Sequence, residues 1–182
     1  LWHLMDIYAR QGVTEFVIAT GYLGNIIHDW VDDLNSSWKI TALDTGLDTL
    51  TGGRIRMCLE FVGPEPVFAT YGDGLGNVNI NTLLNFHKQQ GRLATVTAVR
   101  PPARFGTIEI SNGAVVNFAE KDPKYSGWIN GGFFCLNKQI CTLIEGDQTI
   151  FENDPLNNLV AQGQLGAFEH KGWWQPMDTL RD

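Results

Sequence analysis

Three observations predict an α/β fold with a mixed, mostly parallel sheet flanked by helices. Short apolar runs alternate with amphipathic stretches at helical spacing, and the links between them are only a few residues long. The run Pro66-Val67-Phe68-Ala69-Thr70 has no polar alternation before it breaks at Gly72-Asp73-Gly74. Runs of that kind belong to strands buried on both faces, as in parallel sheets covered by helices. Strand and helix alternating through short links imply right-handed crossovers. Ligands in such sheets gather beyond the carboxyl ends of the strands. Asp73, with a glycine on each side for close backbone approach, is therefore a candidate to face a substrate or metal. Taken alone, Gly-Asp-Gly is more often a plain turn.

Each element has its own signal. Leu1, Leu4, Met5 and Tyr8 fall at i, i+3, i+4, i+7 of a helix that stops at Gly12, with no capping residue before it. Glu15–Thr20 reads as a buried strand, 22–34 as a helix through Ile26, Ile27, Trp30 and Val31, and 38–43 as the next strand. Thr51 is placed to cap a helix whose stripe is Ile55, Cys58, Leu59 and Val62. Gly52 and Gly53 in its first turn would leave bare N–H groups for an anion or a base, or would simply mark a weak helix start. Asn79 caps a helix over Ile80–Gln90 closed by Gly91, and 93–100 is a strand ended by Pro101-Pro102. Period-two patterning from Phe105 to Phe118 around Ser111-Asn112-Gly113 predicts a hairpin, which makes the sheet mixed. The strand over 128–136 carries Gly131-Gly132, and paired glycines inside a strand usually mean that something lies against the backbone. Helices over 138–145 and 154–162 and a strand at Leu165–Glu169 follow, and the chain ends as if starting a further helix.

The totals fit one domain over 1–182, with 43% hydrophobic and 18% charged residues. No apolar run is long enough to span a membrane. A formal charge of -7 argues against non-specific binding to nucleic acid while allowing a nucleotide ligand. Cys58, Cys135 and Cys141 form no CxxC pair and no even framework, which fits a reducing, cytoplasmic setting. His3, His28, His87 and His170 are too scattered for a metal site.

Seven pieces in a fixed order carry a resemblance. They are Asp44-Thr45-Gly46, Thr51-Gly52-Gly53-Arg54, Thr70-Tyr71-Gly72-Asp73-Gly74, Arg104-Phe105-Gly106, Glu120-Lys121, Ile129-Asn130-Gly131-Gly132-Phe133-Phe134 and Trp174-Gln175-Pro176-Met177-Asp178-Thr179. The chain resembles the sugar-1-phosphate nucleotidylyltransferases, on the branch that uses CTP and glucose 1-phosphate. That resemblance implies a Rossmann-like sheet of the nucleotide-diphospho-sugar transferase type and catalysis by positioning and charge neutralisation. It implies Mg²⁺ held by Asp73 and Asp178, with Thr49, Thr51, Arg54 and Gly72 on the nucleotide side. Gly106, Glu120, Lys121, Asn130 and Gly131 would serve the sugar phosphate, Lys121 as a point charge. A homo-oligomer is implied too. Singly, each residue has a plain alternative, with Lys121 in an exposed turn and Asp178 as a helix cap.

The departures from the family pattern matter as much. Nothing matches the family's glycine-rich GGxGTRL loop and its following lysine, so the sequence reads as a domain truncated before its first strand and phosphate loop. The family's C-terminal tail is also missing from the pattern, Asn35–Ser37 stands where the family has a longer insertion, and Asp122 displaces the proline after Glu120-Lys121. Without the loop's cations, little transferase activity is expected. Without a central strand, apolar edges are expected to be uncovered and to re-pair, self-associate or aggregate. The alternative is a non-catalytic nucleotide- or sugar-phosphate-binding remnant or an oligomeric scaffold. A glycosyltransferase with an Asp-x-Asp metal motif fits poorly.

Overall fold

The computed structural model describes residues 1–63, 66–102, 107–120, 127–180 and 182. Helix α1 (Trp2–Ala9), strand β1 (Glu15–Thr20), α2 (Gly24–Asp33), β2 (Lys39–Asp44) and α3 (Thr51–Phe61) follow the predicted alternation. Next come β3 (Val67–Thr70), β4 (Gly74–Gly76), α4 (Ile80–Gln90), β5 (Ala94–Val99), β6 (Thr107–Ser111), β7 (Ala114–Ala119) and β8 (Ile129–Leu136). After β8 the expected helix is a 3₁₀ segment, Lys138–Leu143, and then α5 (Asp154–Ala161), β9 (Leu165–Glu169) and β10 (Trp174–Pro176) complete the order.

Local chemistry explains the boundaries. The Asn79 side chain accepts from Thr82 N at 2.8 Å at the start of α4, and Gly91 ends that helix at φ +61. Asn112 (φ +49) and Gly113 (φ +79) make the β6–β7 link with two positive-φ residues, the turn that matches the twist of a hairpin. Ile108 pairs with Phe118 and Ile110 with Val115, so all four side chains share one hairpin face, and all four are exposed.

The main sheet has the order β3-β8-β5-β9. β3, β5 and β9 run the same way, and β8 lies antiparallel between β3 and β5. Alternation along β8 feeds two cores. Phe134 and Leu136 pack with Leu59, Ile140, Phe151 and Leu159 on one face. Phe133 packs with Leu4, Tyr8, Val78 and Ile80 on the other.

β1 and β2 form a separate parallel pair. Among the described residues no ladder joins β1 to β3. A slot of about 990 Å³ lies there instead, walled by both strands and by Leu4 and Tyr8 of α1 and Ile55 and Leu59 of α3. This corrects the expectation that 67–70 is buried on both faces, since β3 is only half-buried along the slot.

Candidate active site

The nucleotide-side candidates gather where α3 begins. The Arg54 guanidinium donates to Thr20 O at 2.8 Å, Thr45 Oγ1 at 2.5 Å and Leu47 O at 3.4 Å, clamping the carboxyl ends of β1 and β2. Thr49 is 9% exposed. Thr51 is not the cap expected of it, because Leu50 holds the N-cap position and no side chain caps the helix. Its hydroxyl instead accepts from Phe151 N at 2.9 Å and donates to Glu152 Oε2 at 2.7 Å.

Gly52 differs from the expectation of a bare N–H group, and Gly53 is closely packed by the protein itself. Gly52 N donates to Thr149 O at 2.9 Å. A Cβ on Gly52 would lie 2.7 Å from Thr149 O, and one on Gly53 would lie 2.7 Å from Asp147 Cα. The glycines admit the 147–149 segment against α3, which the Arg56–Asp147 ion pair at 3.0 Å also holds.

Gly72 and Asp73 are exposed at the end of β3. β10 pairs antiparallel with β4, Pro176 opposite Gly74, and Met177 N donates to Asp73 O at 2.7 Å. Two residues beyond Pro176, Asp178 therefore runs alongside the Gly72-Asp73 turn, and both acidic side chains are exposed. Among the described residues no cluster of three or more His, Cys, Asp or Glu is poised for a metal. The ladder brings the Asp178 backbone beside Gly72, one position out of register with Asp73, and exposed carboxylates are the donor type that Mg²⁺ takes, with water and substrate phosphates filling its other positions.

Of the candidates for the sugar phosphate, Asn130 Oδ1 accepts from Gly132 N at 2.8 Å, and its amide points to the Tyr71 hydroxyl at 3.5 Å. What lies against Gly131 and Gly132 is the protein itself. A Cβ on Gly131 would meet Val99 at 2.6 Å, and Gly132, at φ +75, lies under the Tyr71 ring. Trp174 Nε1 donates to Gly131 O at 2.9 Å, tying this strand to the β4–β10 ladder. Glu120 is exposed at the end of β7. Gly106 and Lys121 lie outside the described residues.

Glu152 is the group that the sequence reading missed. One carboxylate oxygen accepts from Thr51 and the other from the Tyr71 hydroxyl, joining the start of α3 to the end of β3. Burial, and then the hydrogen bond and charge of Glu152, push the Tyr71 phenol well above its ordinary range. The available signal was weak, an acid just before Asn153-Asp154-Pro155, where a negative charge at a helix start needs no further explanation. Thr51, Tyr71, Gly72-Asp73, Asn130-Gly131 and Asp178 thus share one rim, and Thr51, Tyr71, Asp73 and Glu152 also line the mouth of the slot.

The chain is 40% identical over 205 aligned positions to glucose-1-phosphate cytidylyltransferase of Salmonella typhi, covering 100% of this chain and 80% of that protein. The alignment is longer than the chain, so the relative carries insertions within it. Among solved structures, HddC from Yersinia pseudotuberculosis complexed with GMP-PN superimposes with a TM-score of 0.76 at 20% identity, covering 99% of this chain and 80% of that one. The inositol-1-phosphate CTP transferase from T. maritima gives 0.68 at 14% identity, covering 99% and 76%. These two likenesses show the fold. With the rim at the strand ends, whole-chain identity to a cytidylyltransferase and a match to the nucleotidyl transferase family model over residues 1–179, the chain belongs to the sugar-phosphate nucleotidyltransferases.

Proposed function

We propose that the chain serves the reaction of CTP with glucose 1-phosphate to give CDP-glucose and pyrophosphate. The observation that carries this reading is the 40% identity over the whole chain to glucose-1-phosphate cytidylyltransferase, and the β4–β10 pairing, which brings the Asp178 backbone beside the Gly72-Asp73 turn, is compatible with it. A sugar-phosphate oxygen attacks the α-phosphorus, the bond from that phosphorus to the bridging oxygen breaks, and pyrophosphate leaves. When bound by Asp73 and Asp178, Mg²⁺ supplies neutralising charge for the phosphates. Thr49, Thr51, Arg54 and Gly72 orient the nucleotide. Glu120, Lys121, Asn130, Gly106 and Gly131 orient the sugar phosphate.

These 182 residues hold no GGxGTRL-type loop, and the Arg54 guanidinium is already committed to Thr20, Thr45 and Leu47. Loss of a single oxyanion donor costs about 2.7–4 kcal/mol elsewhere, so turnover by these residues alone is expected to be slow. That commitment of Arg54 favours, as a second reading, a module that binds without turnover. Calorimetry with CTP, UTP and dTTP in Mg²⁺, paired with a pyrophosphate-release assay, separates the two. Saturable CTP binding that is lost in both Asp73→Asn and Asp178→Asn supports the site. CTP binding unchanged in both variants sinks it.

A further inference from the structure

We propose that Glu152 is a positioning residue of this site, fixing the start of α3 against the Gly72-Asp73 turn by accepting from Thr51 with one oxygen and from Tyr71 with the other. The inference rests on the function proposed above and names a residue which that function leaves unassigned.

The hydrogen-bond directions require a carboxylate. The Thr51 hydroxyl accepts from Phe151 N, so its proton is free only for Glu152. The Asn130 amide points at the Tyr71 oxygen, which leaves the phenol proton for the other carboxylate oxygen. Both neighbours arrive as donors, and only a group with two acceptor oxygens satisfies both. A glutamine keeps one acceptor and presents an NH₂ to the other donor. Among the described residues no Lys or Arg forms an ion pair with Glu152.

The linkage is rigid at both ends. The Tyr71 ring stands 5.6 Å from Phe134, edge to face, and Tyr71 N donates to Gly132 O at 3.0 Å. On the other side, Leu50 N and Gly52 N are held by Asp147 O and Thr149 O. Glu152 therefore sets the distance between two braced elements, one on the nucleotide side and one bearing Asp73.

The test uses the whole chain with CTP and Mg²⁺ in calorimetry. Glu152→Gln is near-isosteric and should weaken CTP about tenfold, a change of ~1.4 kcal/mol. Glu152→Asp keeps the charge but cannot span both donors, and should lose a similar amount. In a double-mutant cycle, Thr51→Val and Tyr71→Phe should be non-additive in the parent and additive once Glu152→Gln is present. A merely structural role would lower the thermal midpoint of Glu152→Gln and leave CTP affinity intact at temperatures where circular dichroism shows the variant fully folded, whereas positioning keeps the affinity loss there. CTP affinity within twofold of the parent in both Glu152 variants, or additivity in the parent, overturns the proposal and leaves the function standing. A parent chain that binds none of CTP, UTP or dTTP overturns the function, and this inference with it.

Discussion

Phe16-Val17-Ile18 in β1 and Phe133-Phe134-Cys135 in β8 are equally apolar, yet they have different fates. The β8 residues are 0% exposed, while those of β1 are only half-buried. The difference is in neighbours. β8 is paired on both edges, with a packed cluster on each face, whereas β1 has β2 on one side and the slot on the other. α2, which covers the β1–β2 pair, contributes no buried residue. A strand's burial is thus set by how many elements close around it, and its own composition only makes that burial possible.

The strongest way to break this comparison is to truncate both regions. Phe134→Ala should cost about 3–5 kcal/mol in denaturant unfolding, because the surrounding core cannot collapse onto the gap. Val17→Ala should cost well under half of that, since its side chain already faces open space. Equal losses would mean that the slot does not weaken β1. A subtler probe overpacks the closed side. In Gly131→Ala the added methyl would stand 2.6 Å from Val99 and 3.0 Å from Thr97 O, and about 1–3 kcal/mol should be lost.

Hydrogen exchange sharpens the same contrast without mutation. Amides of β1 and β3 should exchange through local opening, while those of β5 and β8 should wait for global unfolding. Uniform protection across all four would erase the distinction.

Near neutral pH the smallest effect is that of the cysteine titration. Burial pushes the Cys135 thiol up to about 12 from its ordinary 9.0. A folded value above the unfolded one favours the neutral thiol in the native state. Its contribution is therefore complete below about pH 9 and is lost as pH rises toward 12. Alkylation of Cys135 at pH 8 should require unfolding.

The strand and helix order was legible because apolar periodicity and turn chemistry are local. The hairpin at Asn112-Gly113 and the cap at Asn79 needed only their own residues. Asp73 and Asp178 were singled out through resemblance, and the β4–β10 ladder that brings their two chain segments together is encoded by no local pattern. Gly52 and Gly53 misled for the opposite reason. Glycine marks close approach, but it does not say whether a ligand or the chain's own 147–149 segment approaches. Glu152 stayed hidden because its two partners are about 80 and 100 residues away, and only the fold makes it their common acceptor.

The hairpin face formed by Ile108, Ile110, Val115 and Phe118 has a colloidal consequence. A molecule with a formal charge of -7 keeps its copies apart by repulsion, and that repulsion shortens as electrolyte is added, from a range of about 10 Å at 0.1 M to about 3 Å at 1 M. The greasy face loses none of its attraction over the same range. Added salt is therefore expected to favour contact between copies through this face, which light scattering between about 0.1 M and about 1 M salt would register.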